Sequence, residues 1–197
     1  IGATTALSNP HTDNGCLEPR PPDYVLLSCY RQAHSGGENT IISSYALHEA
    51  FARRRPDLLP LLYRPFHFLP PKLHTWPDGP ATIVKPIFEK VGQALHVHYA
   101  RVMVEPGMAL AGIPLSPDQI TALDLLDQLL VDPKLITTCR MRPGDALLNN
   151  NCSTLHGRLA YEDDPDSPRN LKRLWLWQRH RGPGTDPLAL DRMEFGL

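Results

Sequence analysis

The apolar positions of this chain fall mainly into short runs with the length of β-strands. Several runs rich in valine, leucine, isoleucine and threonine lie between turn residues: 24–30, 39–43, 136–141, 146–149 and 171–178. Short runs bounded by glycine, proline and asparagine are typical of strands, because strands are brief and their side chains alternate between two faces. The pattern therefore predicts a mainly β fold.

Two other patterns predict elements around these strands. Residues 94–104 alternate with period two, which predicts a further half-buried strand with His96 and His98 on one face. The sequence Ser116-Pro117-Asp118-Gln119 is typical of a helix N-terminus with a capping box, and a helical apolar stripe follows it. Ser44 is expected to cap another helix, so helices should flank the sheet on its outer side.

Length and proline content indicate one domain with long connections. The 197 residues fit a single domain, and 21 of them are proline, about twice the usual share of roughly 5%. Residues 65–86 hold several of these prolines and are expected to form a long loop that acts as a lid. Because the chain begins at Ile1 rather than at methionine, we also expect an N-terminal part of the domain to be missing.

Charge and hydropathy exclude several classes of partner. A formal net charge of −1 provides no electrostatic reason to bind nucleic acid. No apolar run approaches the roughly 20 residues that cross a bilayer, and the first residues lack a secretion signal. The four cysteines form no Cys-x-x-Cys pair, so we expect them to be reduced. A cytoplasmic protein that binds a small molecule is expected, and the sequence does not indicate its oligomeric state.

The residues that suggest chemistry are two histidines and one aspartate. His11 and Asp13 are two positions apart, so on an extended strand they point to the same side and can hold one metal ion together. His156, which follows a predicted strand much later in the chain, is the candidate for the third ligand. Two histidines and a carboxylate leave positions open on an octahedral ion, which suits iron(II) that must also bind a co-substrate and O2.

Two arginines raise the specificity of this interpretation. Arg169 and Arg173 are four residues apart at the start of a strand-like run, and with Leu171 they face the same way at period two. A dicarboxylic co-substrate that chelates the metal through one end needs a cationic, bidentate partner for its other carboxylate. An arginine beside an iron site is therefore expected for such a co-substrate.

At this point the sequence resembles the TauD/TfdA family of Fe(II)- and 2-oxoglutarate-dependent dioxygenases. The matching segments occur in the family's order and cover nearly the whole chain: His11-Thr12-Asp13, Gly36-Gly37-Glu38-Asn39-Thr40, Pro143-Gly144-Asp145, Asn150-Asn151, Leu155-His156-Gly157-Arg158 and 169–176. The resemblance implies a double-stranded β-helix, that is, a cupin-like jelly roll. It also implies that the cofactors are Fe(II), 2-oxoglutarate and O2.

The same resemblance implies a role for each candidate residue. It assigns the metal to His11, Asp13 and His156, and the distal carboxylate of 2-oxoglutarate to Arg169. Arg173 is expected to contact a substrate carboxylate or the co-substrate. The family usually places a threonine directly after the Gly-Gly-acid turn, whereas here Asn39 stands before Thr40. Thr40 is taken as the co-substrate ligand, with Asn39 as the alternative.

The resemblance implies that an unactivated C–H bond of a small carboxylate- or amino-acid-like molecule is hydroxylated, with succinate and CO2 as co-products. Desaturation by the same oxidant is possible, whereas halogenation is not expected because Asp13 is retained. Two alternatives remain open from the residues alone. The triad could hold zinc in a hydrolase, or the chain could be a non-catalytic cupin-like module that binds a metal or small ligand.

Overall fold

A computed structural model describes residues 5–15, 21–70, 80–178 and 194–196 of the chain. The strands are β1 (Ser8–His11), β2 (Tyr24–Arg31), β3 (Ser35–Gly36), β4 (Asn39–Ser43), β5 (Phe66–Phe68), β6 (Ile83–Lys85), β7 (Phe88–Val91), β8 (Ala94–Val97), β9 (Thr137–Cys139), β10 (Ala146–Asn150), β11 (Thr154–Arg158), β12 (Tyr161–Glu162), β13 (Asn170–Trp177) and β14 (Glu194–Gly196). The helices are α1 (Ser44–Arg54), α2 (Arg101–Leu110) and α3 (Pro117–Leu130), with a 3-10 turn at Leu59–Tyr63.

Two four-stranded antiparallel sheets form the framework. One has the strand order β1-β11-β4-β9 and the other β10-β2-β13-β14. Neighbouring strands in each sheet are mostly far apart in sequence, which is how a jelly roll brings remote segments together. The prediction of a mainly β fold of the jelly-roll type with flanking helices is confirmed.

The first sheet has one apolar face and one polar face. Leu155 of β11 pairs with Ile42 of β4, and both belong to the apolar core that also contains Phe51 of α1 and Leu126 of α3. Because side chains alternate along a strand, His156 and Arg158 point to the opposite face. The helices thus cover one side of the sheet, and the other side is left for the candidate site.

Helix α3 begins as the sequence predicts. The Ser116 side chain accepts a hydrogen bond from the Gln119 backbone N–H, and the Gln119 side chain accepts one from the Ser116 backbone N–H. This is a complete capping box with proline in the first turn. The expected cap by Ser44 is wrong, since α1 begins at Ser44 and its hydroxyl donates to the Leu95 carbonyl oxygen instead.

The strand predicted over residues 94–104 is only half correct. Strand β8 ends at Val97, and residues from Arg101 onward form α2. Val104, Gly107 and Met108 of that helix are buried, and the spacing of three from Val104 to Gly107 fits a helix and not a period of two. Gly107 lies so close to β5 that an added Cβ would be 2.4 Å from the His67 carbonyl oxygen. Tertiary packing therefore decides the conformation of this segment.

The predicted long loop at 65–86 contains two paired strands, β5 and β6. Residues 71–79 lie outside the described part of the chain, so the lid remains a prediction. Among the described residues, no helix combines the length and the hydropathy needed to cross a membrane.

Candidate active site

His11, Asp13 and His156 converge at one point of the structure, with one ligand atom from each within 4.8 Å of the others. His11 ends β1, Asp13 follows in the next turn, and His156 lies on β11 directly opposite His11. The Oδ1 atom of Asp13 is 3.4 Å from Nε2 of His11 and 3.7 Å from Nε2 of His156. His156 is remote in sequence from the other two, and the three residues are the only cluster of possible metal ligands found in the described part of the chain.

The donor atoms fit a bound transition metal. Ligands about 2.1 Å from a common ion and at right angles are about 3 Å apart, slightly less than the distances observed here. Nδ1 of His11 lies 2.8 Å from the carbonyl oxygen of Asn9, so the ring proton belongs on Nδ1 and the lone pair of Nε2 is available to the ion. Two imidazoles and a carboxylate suit iron(II) with open positions.

The two oxygens of the Asp13 carboxylate have different surroundings. Oδ1 faces the histidines, whereas Oδ2 accepts a hydrogen bond of 2.8 Å from the indole Nε1 of Trp175. Nη1 of Arg173 is 3.0 Å from both oxygens. Burial alone would raise the pKa of this carboxyl, but its hydrogen bonds with the histidines and the charge of Arg173 hold the pKa well below its ordinary value. Oδ1 is therefore the oxygen that faces the histidines and could bind an ion with them, while Trp175 bonds to Oδ2 and Arg173 contacts both oxygens.

The backbone around Asp13 is held from two sides. Thr12 and Tyr99 exchange hydrogen bonds, from Thr12 N–H to the Tyr99 carbonyl and from Tyr99 N–H to the Thr12 hydroxyl. The Asn151 side chain accepts from Asp13 N–H at 2.9 Å and donates to the Asp13 carbonyl at 2.8 Å. Asn151 is 1% exposed, so this pairing is shielded from water. These contacts fix the position of Asp13 relative to the sheet.

A cavity of about 290 Å³ lies beside the triad, between the two sheets. Its lining combines metal ligands, arginines, small polar groups and apolar side chains: Ala6, Leu7, Ser8, His11, Leu27, Asn39, His156, Gly157, Arg158, Arg169, Leu171 and Arg173. The expectation that Arg169, Leu171 and Arg173 face the same way agrees with this lining. The cavity has no acidic side chain among these residues.

Arg169 is held by Gln32 and Asp163, and its guanidinium lies close to Gly37. Its Nε donates to Oε1 of Gln32 at 3.1 Å, and its backbone N–H donates to the Asp163 carboxylate at 2.6 Å. Gly37 has a positive φ of +76°, and a Cβ there would lie 3.3 Å from Oε1 of Gln32 and 3.4 Å from Nε of Arg169. Glycine therefore allows both the turn and the close approach of the guanidinium.

Strand register separates Asn39 from Thr40. Asn39 pairs with Arg158 and lines the cavity, whereas Thr40 pairs with Gly157 and is on the other face of β4. The Thr40 hydroxyl is buried, without a hydrogen-bond partner among the described residues, and a Cβ on Gly157 would be 2.7 Å from it. The alternative left open by the sequence, Asn39, thus has the better placement for a co-substrate contact.

Sequence reasoning missed several groups that the structure brings to the site. Trp175, Arg158 and Asn151 had no role beyond their place in the matching motifs. Alternation along β13 places Trp175 on the same face as Arg173, which was a usable indication. The partner of Asn151 lies 138 residues away in the chain, and no local pattern could reveal it.

The fold is a jelly roll, and two histidines and a carboxylate lie beside a cavity lined by arginines. This combination is typical of cupin-like non-haem metal proteins. The chain belongs to the taurine catabolism dioxygenase TauD, TfdA family, whose model matches residues 1–175.

Individual relatives agree with this membership. The chain is 30% identical over 160 residues to FR-33289 synthase of Streptomyces rubellomurinus. The alignment covers 79% of this chain and 47% of the relative. It is also 30% identical over 150 residues to uridine-5′-phosphate dioxygenase of an Amycolatopsis species, covering 76% of this chain and 53% of the relative. The chain thus spans about half the length of these relatives.

Among solved structures, the fold is similar to an asparagine oxygenase in complex with Fe(II), 2S,3S-3-hydroxyasparagine and succinate. The TM-score is 0.70 at 22% identity, covering 88% of this chain and 50% of that one. At this identity the likeness shows the fold.

Proposed function

We propose that this chain carries the active site of an Fe(II)- and 2-oxoglutarate-dependent dioxygenase that hydroxylates a small carboxylate- or amino-acid-like molecule. The observation that carries the proposal is the convergence of His11, Asp13 and His156 beside a cavity lined by arginines. The ion would be iron held by these residues, and 2-oxoglutarate and O2 would be the co-substrates. Family membership supports the same reaction class.

The residues of the chain have distinct tasks in this reaction. Iron supplies the oxidising chemistry once 2-oxoglutarate and O2 are bound, with succinate and CO2 as co-products. Arg169 binds the distal carboxylate of 2-oxoglutarate and thereby orients the keto acid end toward the metal ligands. Asn39, on the cavity face of β4, donates a further hydrogen bond to the co-substrate. Arg173 holds the Asp13 carboxylate while its side chain also borders the cavity.

The proposed substrate class is supported by relatives and by charge. The names of the relatives refer to asparagine and to uridine 5′-phosphate, which are small polar molecules. A cationic cavity favours an anionic or zwitterionic compound over an apolar one. A cytoplasmic location stays a prediction from the sequence.

A zinc hydrolase with the same triad would need an open metal position and a water molecule, but it would have no use for three arginines beside the metal. A non-catalytic cupin-like module would bind the metal without turnover. Consumption of 2-oxoglutarate separates the proposed oxygenase from both.

The test is formation of succinate from 2-oxoglutarate in air, with and without Fe(II), by the whole chain. We expect iron-dependent succinate, and we expect His156→Ala to abolish it because the ion loses one of its three protein ligands. His34→Ala, which removes an exposed histidine from a turn, serves as the matched control. Circular dichroism should show that both variants keep the β fold. Iron-independent turnover, or full activity of His156→Ala, would contradict the proposal.

A further inference from the structure

The guanidinium of Arg169 is occupied along one edge. Its Nε donates to Oε1 of Gln32 at 3.1 Å, and its Nη2 makes a long contact of 3.5 Å with the carbonyl oxygen of Gly37. Nε and Nη2 share one side edge of the planar group. Among the residues that the structure describes, none accepts a hydrogen bond from Nη1 of Arg169. The edge formed by the two Nη atoms is therefore the one left for a ligand.

Two other contacts limit how Arg169 can turn. Its Cζ is 5.3 Å from the centroid of the Tyr161 ring, within the range of a cation–π contact. Its backbone N–H donates to the Asp163 carboxylate at 2.6 Å, which fixes the start of the side chain. Arg169 lines the cavity beside the metal ligands. With the side edge, the ring side and the backbone held, the edge of the two Nη atoms is the one available to that cavity.

The Gln32 amide is itself fixed at both ends. Its Nε2 donates to the carbonyl oxygen of Met141 at 3.0 Å, and its Oε1 also accepts from the Ala33 backbone N–H at 2.9 Å. The oxygen thus faces two N–H groups and the nitrogen faces a carbonyl, which assigns the orientation of the amide. Gln32 follows β2 of one sheet, and Met141 follows β9 of the other. The amide therefore connects both sheets to Arg169, and it needs an acceptor and a donor in one side chain, which a carboxylate does not provide.

We propose that Gln32 is a positioning residue for the co-substrate: it holds the side edge of Arg169 so that the two Nη atoms meet the distal carboxylate of 2-oxoglutarate end-on. This inference rests on the proposed function, in which Arg169 binds that carboxylate. Two parallel N–H groups match two carboxylate oxygens only when the direction of the guanidinium is fixed. Gln32 is not among the described residues that line the cavity, so it acts through Arg169 and does not touch the co-substrate.

The experiment compares two acids that differ only at the distal position. 2-Oxoglutarate and 2-oxopentanoate share the keto acid end and the chain length, but the second ends in a methyl group. Calorimetry measures the binding of each acid to the Mn(II)-loaded chain, for the unchanged protein and for Gln32→Met, which keeps the side-chain length and removes the acceptor. We expect the substitution to weaken 2-oxoglutarate by about threefold to tenfold, as for loss of one hydrogen bond that orients a charged group, and 2-oxopentanoate by less than about twofold.

A double-mutant cycle shows whether Gln32 acts through Arg169. In the Arg169→Ala background no guanidinium is left to orient, so adding Gln32→Met should change the affinity for 2-oxoglutarate by less than about twofold. A purely structural role would lower the affinity by the same factor in both backgrounds. Gln93→Met makes the same change at an exposed residue between β7 and β8, and it should leave both affinities unchanged. If Gln32→Met fails to fold, the smaller Gln32→Ala takes its place in the cycle with the same expectations.

The results distinguish this inference from the proposed function. An unchanged affinity of Gln32→Met for 2-oxoglutarate, equal losses for both acids, or the same loss in the Arg169→Ala background would overturn the inference and leave the proposed function standing. Loss of the fold in both Gln32 variants would make Gln32 a structural residue and overturn it as well. If Arg169→Ala binds 2-oxoglutarate as tightly as the unchanged protein, the role of Arg169 and this inference fail together. If the unchanged protein binds 2-oxoglutarate no more tightly with Mn(II) than without it, the proposed function itself fails.

Discussion

The indole of Trp175 offers a sharp test of how the site holds its carboxylate ligand. Its Nε1 donates to Oδ2 of Asp13 at 2.8 Å, and Asp13 is only 5% exposed. Trp175→Phe keeps most of the aromatic surface and removes this one donor. Water has little access to the freed oxygen, so the lost hydrogen bond should be measurable.

The expected size follows from the charge of the acceptor. A hydrogen bond to an ionised group contributes about 1.5–3 kcal/mol, so the free energy of unfolding should fall by about 2 kcal/mol. For a chain of this length that corresponds to a decrease of about 4–8 °C in Tm. Loss of a partner that orients a metal ligand typically lowers metal affinity by about tenfold to a hundredfold. We expect a loss in that range for Mn(II) or Co(II), because Asp13 can then turn away from the histidines.

The assay is a calorimetric metal titration together with thermal unfolding of the same sample without metal. Trp177→Phe, two positions further along β13, is the matched control, since it makes the same change without removing the Nε1 donor to Asp13. A decrease in Tm with unchanged metal affinity would show that Trp175 only packs in the site. An unchanged Tm and an unchanged affinity together would refute the hydrogen bond itself.

Two further predictions concern the co-substrate. Arg169→Ala should weaken 2-oxoglutarate binding by about 1.5–3 kcal/mol, because the distal carboxylate loses a charged partner; calorimetry on the metal-loaded protein measures this, and an unchanged affinity would remove Arg169 from the co-substrate site. Asn39→Ala should weaken 2-oxoglutarate by about threefold to tenfold, whereas Thr40→Val, on the other face of β4, should change it by less than about twofold. The reverse order for this pair would show that strand register does not decide which side chain contacts the co-substrate.

Local patterns were enough for much of the framework. The capping box at Ser116 and the strand-length runs depend on contacts a few residues long, and the structure shows both as predicted. The strand expected over residues 94–104 ends at Val97. The prediction was wrong beyond that residue because the apolar positions there suit a helical period of about 3.6 as well as a strand period of two. The close contact of Gly107 with β5, which no local pattern contains, favours the helix.

Whether Asn39 or Thr40 contacts the co-substrate is a second question that the sequence alone could not answer. The two residues are adjacent, so only the face of β4 that each one occupies distinguishes them. That face is set by pairing with β11, where Asn39 lies opposite Arg158 and Thr40 opposite Gly157. A shift of one residue would exchange them, since side chains alternate along a strand.

The sequence by itself determined the chemical types available: two histidines and an aspartate in a recognisable order, arginines at strand spacing, and glycines where the backbone turns. Only the tertiary structure decided which groups meet, because contacts such as Asp13 with Trp175 and Asn151 join segments more than 130 residues apart. Short-range patterns encode the conformation of each strand. The pairing of strands and the packing of the sheets place the side chains of different strands around one point.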